Sequence, residues 1–85
     1  MMDIKYTRDQ NGKLHSYNDD PAVVYNSGTK FWYQHGQLHR ETDAAVIHYY
    51  GNKYYYLSGT IYSFEEWIKL TPISEEQKLQ LILEN

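Results

Sequence analysis

Slid along itself by 23 residues, the chain meets its own pattern. Asp20-Pro21-Ala22-Val23-Val24 falls on Asp43-Ala44-Ala45-Val46-Ile47, Gly28 on Gly51, Lys30 on Lys53, and Phe31-Trp32-Tyr33 on Tyr54-Tyr55-Tyr56. Gly36-Gln37-Leu38 falls on Gly59-Thr60-Ile61. Upstream, Gly12-Lys13-Leu14-His15 meets Gly36-Gln37-Leu38-His39 at a spacing of 24, which puts one extra residue between His15 and Pro21. A period of this length marks an array of supersecondary units, each too small to bury an apolar face alone. Two units are nearly complete and a third stops at Tyr62. With 85 residues, the array makes a single domain.

Each unit reads as a hairpin. Ala22 to Tyr25 and Ala45 to Tyr49 are β-branched and aromatic runs that end at Asn26-Ser27-Gly28 and Tyr50-Gly51-Asn52. Lys30 to Gln34 and Lys53 to Leu57 are too short for helices and too aromatic for loops. His35-Gly36 and Ser58-Gly59 supply positive φ for reversal into Gln37 to His39 and Thr60 to Tyr62. Ile4 to Arg8 adds an edge strand. The predicted fold is mainly β (α+β), an antiparallel meander of repeated hairpins over 1–62 with one or two C-terminal helices over 63–85. Ser63 with Glu66, and Ser74 with Gln77, begin the helices, and Thr71-Pro72 ends the first. Trp67, Ile68 and Leu70 form the apolar side of the first helix, and Leu79, Ile82 and Leu83 that of the second. The helices are expected to cover one sheet face or the open end of the array.

Composition narrows the function. Without cysteine, neither disulfides nor a cysteine-zinc knot supports the small core. No run approaches a membrane span, and Met1-Met2-Asp3-Ile4-Lys5 has no apolar signal core, so the chain reads as soluble and cytoplasmic. Up to Tyr62, six acidic residues balance six basic ones, and the net charge of −3 comes from the glutamates of the helical segment. A basic footprint for duplex DNA is absent.

Gly36-Gln37-Leu38-His39-Arg40-Glu41-Thr42-Asp43-Ala44-Ala45-Val46-Ile47, followed by Gly51 and the aromatic triplet, resembles the degenerate repeat GKLHREDGPAVI of small bacteriophage and large-virus proteins, itself similar to the MORN repeat. Tyr33, Gly36 and His39 fit the MORN spacing, and Tyr62-Ser63-Phe64-Glu65-Glu66-Trp67 resembles the usual close of the viral proteins. The resemblance covers about residues 11 to 70. It implies a hairpin array used for protein contact or dimerisation, acting in an infected bacterium where small accessory proteins block host enzymes or defence systems. MORN units continue His-Gly-x-Gly where this chain has His39-Arg40-Glu41-Thr42, so lipid-headgroup binding does not transfer.

No nucleophile, base and orienting acid stand out beyond repeat features and helix caps, and no Gly-rich phosphate loop follows a strand, so the residues call for neither catalysis nor a cofactor. His15 and His39 occupy equivalent positions about 10 Å apart across two strand spacings, too far to share a metal ion, and are expected instead to bond turn backbone or Asp20 and Asp43. The 10 tyrosines are the informative feature. Alternation sends Tyr55 to one face and Tyr54 and Tyr56 to the other. Trp32, Tyr33, Arg40, Tyr49, Tyr50, Lys53 and Tyr55 are the candidate binding residues. Such rings either cover a thin sheet while keeping their hydroxyls wet, or form a contact surface. The leading expectation is a noncatalytic protein that binds and inhibits a host protein. The alternative is an RNA- or nucleotide-binding module that stacks bases on tyrosines beside Arg and Lys. Open sheet edges and the Leu79, Ile82 and Leu83 face also suggest a homodimer.

Overall fold

The computed structural model describes residues 4–85; Met1, Met2 and Asp3, part of the segment read above as lacking a signal core, lie outside them. The chain is mainly β with two C-terminal helices. Its strands are β1 (Lys5–Tyr6), β2 (Val23–Val24), β3 (Lys30–Phe31), β4 (Tyr33–Gln34), β5 (Gln37–Leu38), β6 (Val46–Ile47), β7 (Lys53–Leu57) and β8 (Thr60–Tyr62). Six of them form an antiparallel sheet in the order β1-β2-β3-β6-β7-β8, and β4 pairs with β5 separately. The meander is thus interrupted at Trp32, beyond which the β4–β5 hairpin leaves the main ladder. Trp32 still bridges the two, its N–H donating to Ala45 and its carbonyl accepting from His39.

The repeat is visible bond by bond. Tyr25 and His48 each accept from a glycine three residues on, Gly28 and Gly51, at 2.9 and 2.8 Å. Ala22 and Ala45 donate to Phe31 and Tyr54, at 2.9 Å each. At the hairpin tips His35 and Gly36 have φ of 46° and 88°, and Ser58 and Gly59 have 51° and 83°. These successive left-handed pairs match the right-handed twist of the flanking strands. The N–H groups of Gly36 and Gly59 then donate to Leu14 and Leu38 of the preceding unit, both at 2.8 Å. Each tip is therefore pinned to its neighbour by the same bond.

A further copy lies at the N-terminus. Arg8 bridges Leu14 as Tyr33 pairs with Leu38 and Tyr56 with Ile61. Three hairpins stack, rather than two with a fragment. The first is offset because it holds two additional residues, both in turns. One lies in the Asp9 to Lys13 turn. The other lies in the segment from Ser16 to Asp19, where Asn18 and Asp19 take φ of 55° and 62°. Asn and Asp tolerate this conformation better than other non-glycine residues.

Helices α1 (Phe64–Leu70) and α2 (Glu75–Glu84) begin at Ser63 and Ser74, whose hydroxyls accept from Glu66 and Gln77, with the full capping box at Ser74. Thr71 closes α1 by donating to Trp67. The core joins Ala44, Tyr55, Trp67, Ile68 and Leu81, with Ile47, Leu57, Tyr62, Phe64 and Ile73 packed around it. The helices thus cover one sheet face, but not through every residue the periodicity selects. On α2 it is Leu81 that is buried, while Leu79, Ile82 and Leu83 are exposed, and Leu70 on α1 is exposed too. With only ten residues and one buried side chain, α2 touches the sheet by an edge, so the face richest in leucine and isoleucine points outward.

Candidate recognition surface

Strand pairing assigns every side chain to a face, because antiparallel partners project to the same side. One row across the sheet runs Lys5, Val24, Lys30, Ile47, Lys53, and the next runs Tyr6, Val23, Phe31, Val46, Tyr54. Ile47 packs into the helical core. The lysine row therefore shares the helix side, and the aromatic row takes the opposite, helix-free face. At the hairpin end of that face the pairing adds Arg8, Leu14, Tyr33, Leu38, Tyr56 and Ile61.

The rings on this face touch one another. Tyr25 meets Phe31 edge-on at 5.3 Å. Burial and then the neighbouring phenols of Tyr25 and Tyr56 raise the Tyr33 phenol above its ordinary value. Tyr54 meets His48 edge-on at 5.5 Å, and His48 stacks on Tyr50 at 4.8 Å with their planes 5° apart. Tyr49 lies against Tyr50 at 5.0 Å and bonds through its N–H to the buried Thr29 hydroxyl. Val23 and Val46 sit buried in the row between Tyr6, Phe31 and Tyr54. Among the described residues, the tyrosine hydroxyls that bond within the chain are those of Tyr17, to the Arg8 carbonyl, and Tyr55, to Asn85. Those of Tyr25, Tyr33, Tyr54 and Tyr56 have no bonding partner among the described residues.

This placement divides the seven residues selected from sequence. Tyr33, Tyr49 and Tyr50 belong to the helix-free face or its tip. Tyr55 does not. It is 6% exposed, packs on Trp67 at 4.9 Å, and burial followed by the nearby Asp43 pushes its phenol up to about 12. Trp32 is likewise buried, with its indole N–H donating to the Asp19 carbonyl. Arg40 is no free cation. Its guanidinium lies 3.8 Å over the Trp32 ring, grips the Asp19 carboxylate through Nε and Nη2, and donates from Nη1 to Ala44. Burial raises the Asp19 pKa, but the bonds from Arg40 and Thr42 outweigh it and hold the carboxyl below its ordinary value. Lys53 is exposed on the helix side, 3.8 Å from Asp43. Sequence reasoning missed Tyr25, Phe31, Tyr54 and Tyr56 as members of the site, although period-2 alternation from Tyr55 points to Tyr54 and Tyr56.

The histidines take the turn-backbone role. His15 Nδ1 accepts from the N–H of His35, and His39 Nδ1 from that of Ser58, at 3.1 and 2.8 Å. His15 and His39 do not come together, but His15 meets His35 and Asp9, and their ligand-type atoms lie within 4.8 Å of one another. These atoms are already engaged. Asp9 Oδ1 accepts from Asn11 and Lys13, and its Oδ2 lies 2.7 Å from His35 Nδ1. The His15 and His35 rings lie 4.3 Å apart with their planes tilted by 40°. The group is best described as a hydrogen-bonded clasp between the first two hairpins.

The clasp is acid-sensitive in a defined direction. The His35 bond, followed by the Lys13 N–H, lowers the Asp9 pKa from 3.8 to about 2. Because the folded value lies below the unfolded one, the contribution is present above about pH 4 and fades as pH falls towards 2. Urea midpoints should therefore fall across that window in the native chain and fall less in Asp9→Asn.

A polar cleft of about 260 Å³ is lined by Ser16, Asp19, Trp32, Tyr33, Arg40 and Thr42 among others. Its charged groups pair with one another: Arg40 and Thr42 bond Asp19, and His39 Nε2 lies 3.1 Å from Glu41. No helix among the described residues is long and apolar enough to cross a membrane. No protein-family model, curated protein or solved structure matches the chain.

Proposed function

We propose that this chain is a noncatalytic recognition protein that binds a protein partner through its helix-free aromatic face. In the bacteriophage or viral setting implied by the repeat resemblance, that partner is a host protein in the cytoplasm, and binding inhibits it. The observation carrying this reading is the clustering of Tyr25, Phe31, Tyr33, Tyr54 and Tyr56 on one side of the sheet, opposite the helices, with four hydroxyls that find no bonding partner among the described residues. Aromatic side chains with a polar tip dominate the energetic centres of protein interfaces because they bury large area at small entropic cost. A sheet that only shielded its own core would need rings over Val23 and Val46, but not the extension through Tyr56 to the exposed Ile61.

The test is affinity capture from the lysate of the native host, with and without nuclease. A Tyr33→Ser/Tyr56→Ser variant should lose the captured protein, and Leu79→Ser on the helix side should keep it. Retention by the double variant would contradict the reading. The exposed Tyr50, stacked on the half-buried His48, favours a second reading, in which a base stacks at the tip. Material absorbing near 260 nm that copurifies with the chain and is lost in Tyr50→Ala would select it.

The outward Leu79, Ile82 and Leu83 stripe supports a homodimer, its rim holding both Lys78 and Glu75 as a self-complementary contact requires.

A further inference from the structure

Each hairpin is docked on the one before it by the same backbone contacts. The N–H of Gly36 donates to the Leu14 carbonyl and that of Ser16 to the Tyr33 carbonyl; one repeat later, Gly59 donates to Leu38 and Arg40 to Tyr56. A carbonyl and the N–H two residues on thus receive a hairpin tip, whose glycine donates and whose aromatic residue three places earlier accepts. The docked tips are Tyr33-Gln34-His35-Gly36 and Tyr56-Leu57-Ser58-Gly59, each with its glycine in the left-handed region. Their seats are Leu14-His15-Ser16 and Leu38-His39-Arg40, and all six of these residues are half-buried.

The third copy of that seat is Ile61-Tyr62-Ser63, and the chain has no fourth hairpin to fill it. Because the Tyr56 carbonyl turns to Arg40, Tyr56 and Ile61 form a pair whose backbone groups point away from each other, so the N–H and carbonyl of Ile61 face outward from β8. β8 is the last strand of its sheet. Ile61 and Ser63 are exposed where their counterparts are half-buried, and among the described residues neither the Ile61 carbonyl nor the Ser63 N–H takes part in a hydrogen bond. Of the devices that blunt a sheet edge, charge and proline are both absent from Thr60-Ile61-Tyr62.

A second copy of the chain does not supply the fitting tip. Its second and third tips are docked internally, and the first uses its donors within its own turn, Gly12 bonding the Asp9 carbonyl and Asn11 and Lys13 bonding Asp9 Oδ1. The array is closed at its first hairpin and open at its third.

We propose that the Ile61–Ser63 edge receives a β-hairpin tip of a partner protein, of the form aromatic-x-x-Gly with a left-handed glycine, as a fourth hairpin of the array. The glycine N–H donates to the Ile61 carbonyl, and the Ser63 N–H donates to the aromatic residue's carbonyl. This is strand addition at an open edge, with the register fixed by the turn. Where His15 and His39 each accept one further N–H from the tip they hold, Tyr62 stands in their place, so the partner's tip is held by two bonds rather than three. The contact goes beyond the aromatic face, since it uses backbone groups at β8 and not rings.

The test is NMR titration of the isotope-labelled full chain with a cyclic peptide of residues 55–62, whose ends Tyr55 and Tyr62 are paired in the chain, closed by a D-Pro-Gly link. The amide signals of Ile61 and Ser63 should shift, and those of Lys5 and Tyr6 on the opposite edge should not. Replacing the peptide's glycine by N-methylglycine removes the donor and should abolish the shifts. Ser63→Pro removes the N–H from the chain with the backbone kept, because Ser63 already has a φ of −65°, and should weaken binding about fivefold or more. Ser63→Ala loses the same helix cap but keeps the N–H, and should bind as the native chain does, which separates the bond from any loss of stability. Absence of shifts up to millimolar peptide, shifts on β1 or α2 instead, equal binding by the N-methyl peptide, or equal weakening in both Ser63 variants would each overturn the proposal. So would pairing of the β8 edges of two copies in solution, read as Ile61 and Ser63 signals that move on dilution of the chain alone.

Discussion

Trp67→Ala should leave the chain largely unfolded at room temperature. The indole is fully buried, packs on Tyr55 at 4.9 Å and Phe64 at 6.2 Å, and donates from Nε1 to the Arg40 carbonyl at 3.2 Å. Truncating a buried tryptophan costs about 3–5 kcal/mol through lost transfer energy and the cavity left behind. The Arg40 carbonyl would in addition lose its partner, at about 1 kcal/mol or more. A domain this small has a total stability of about 5–10 kcal/mol, so the substitution removes most of it. Urea denaturation followed by far-ultraviolet circular dichroism should show the baseline already in transition without denaturant. Trp67→Phe, which fills part of the cavity, should fold with a reduced midpoint.

The second large effect belongs to Arg40. Its guanidinium joins the loop at Asp19 to the loop before Ala44 and lies flat over Trp32, so one side chain fastens two neighbouring repeats. The Asp19 carboxylate is about half exposed, which screens the ion pair, so more of the effect comes from the Ala44 bond and the stacking over Trp32. Arg40→Ala should cost about 2–3 kcal/mol. Arg40→Lys should recover little of it, because an ammonium cannot fork to a carboxylate while stacking on an indole. Urea midpoints give the loss, and the near-ultraviolet dichroism of Trp32 should change in both variants. Arg40 thus fastens the sheet's loops rather than standing free on its surface.

Much of this was legible from residues alone, for reasons that are physical. The turns were clear because only glycine, or a polar residue beside it, tolerates the left-handed conformation of His35-Gly36 and Ser58-Gly59. Both helix starts were clear because Ser63 and Ser74 stand three residues before side chains able to complete a cap. The N-terminal copy was half legible: Gly12-Lys13-Leu14-His15 matches Gly36-Gln37-Leu38-His39 at a spacing of 24, but one more residue in the Asp9 to Lys13 turn conceals that Ile4 to Arg8 pairs back on Leu14 as a hairpin. Which face of the sheet the helices take was not legible. Period 2 separates Tyr55 from Tyr54 and Tyr56, but choosing the dry side requires knowing where Trp67 and Leu81 land. Arg40 misled for a related reason. A guanidinium in a loop reads as free until the fold brings Asp19 and Trp32 beneath it, from 21 residues away in the carboxylate's case.

Everything proposed for recognition depends on three successive tyrosines in one strand pointing to opposite sides. Nitration by tetranitromethane, with modified positions read by mass spectrometry in the folded chain, tests that arrangement residue by residue. Tyr49 and Tyr50, at 66% and 58% exposure, should react first, Tyr54 and Tyr56 next, and Tyr55 only once the chain unfolds. Reaction at Tyr55 as fast as at Tyr56 under folding conditions would place the helices on the wrong face and remove the aromatic surface from the account.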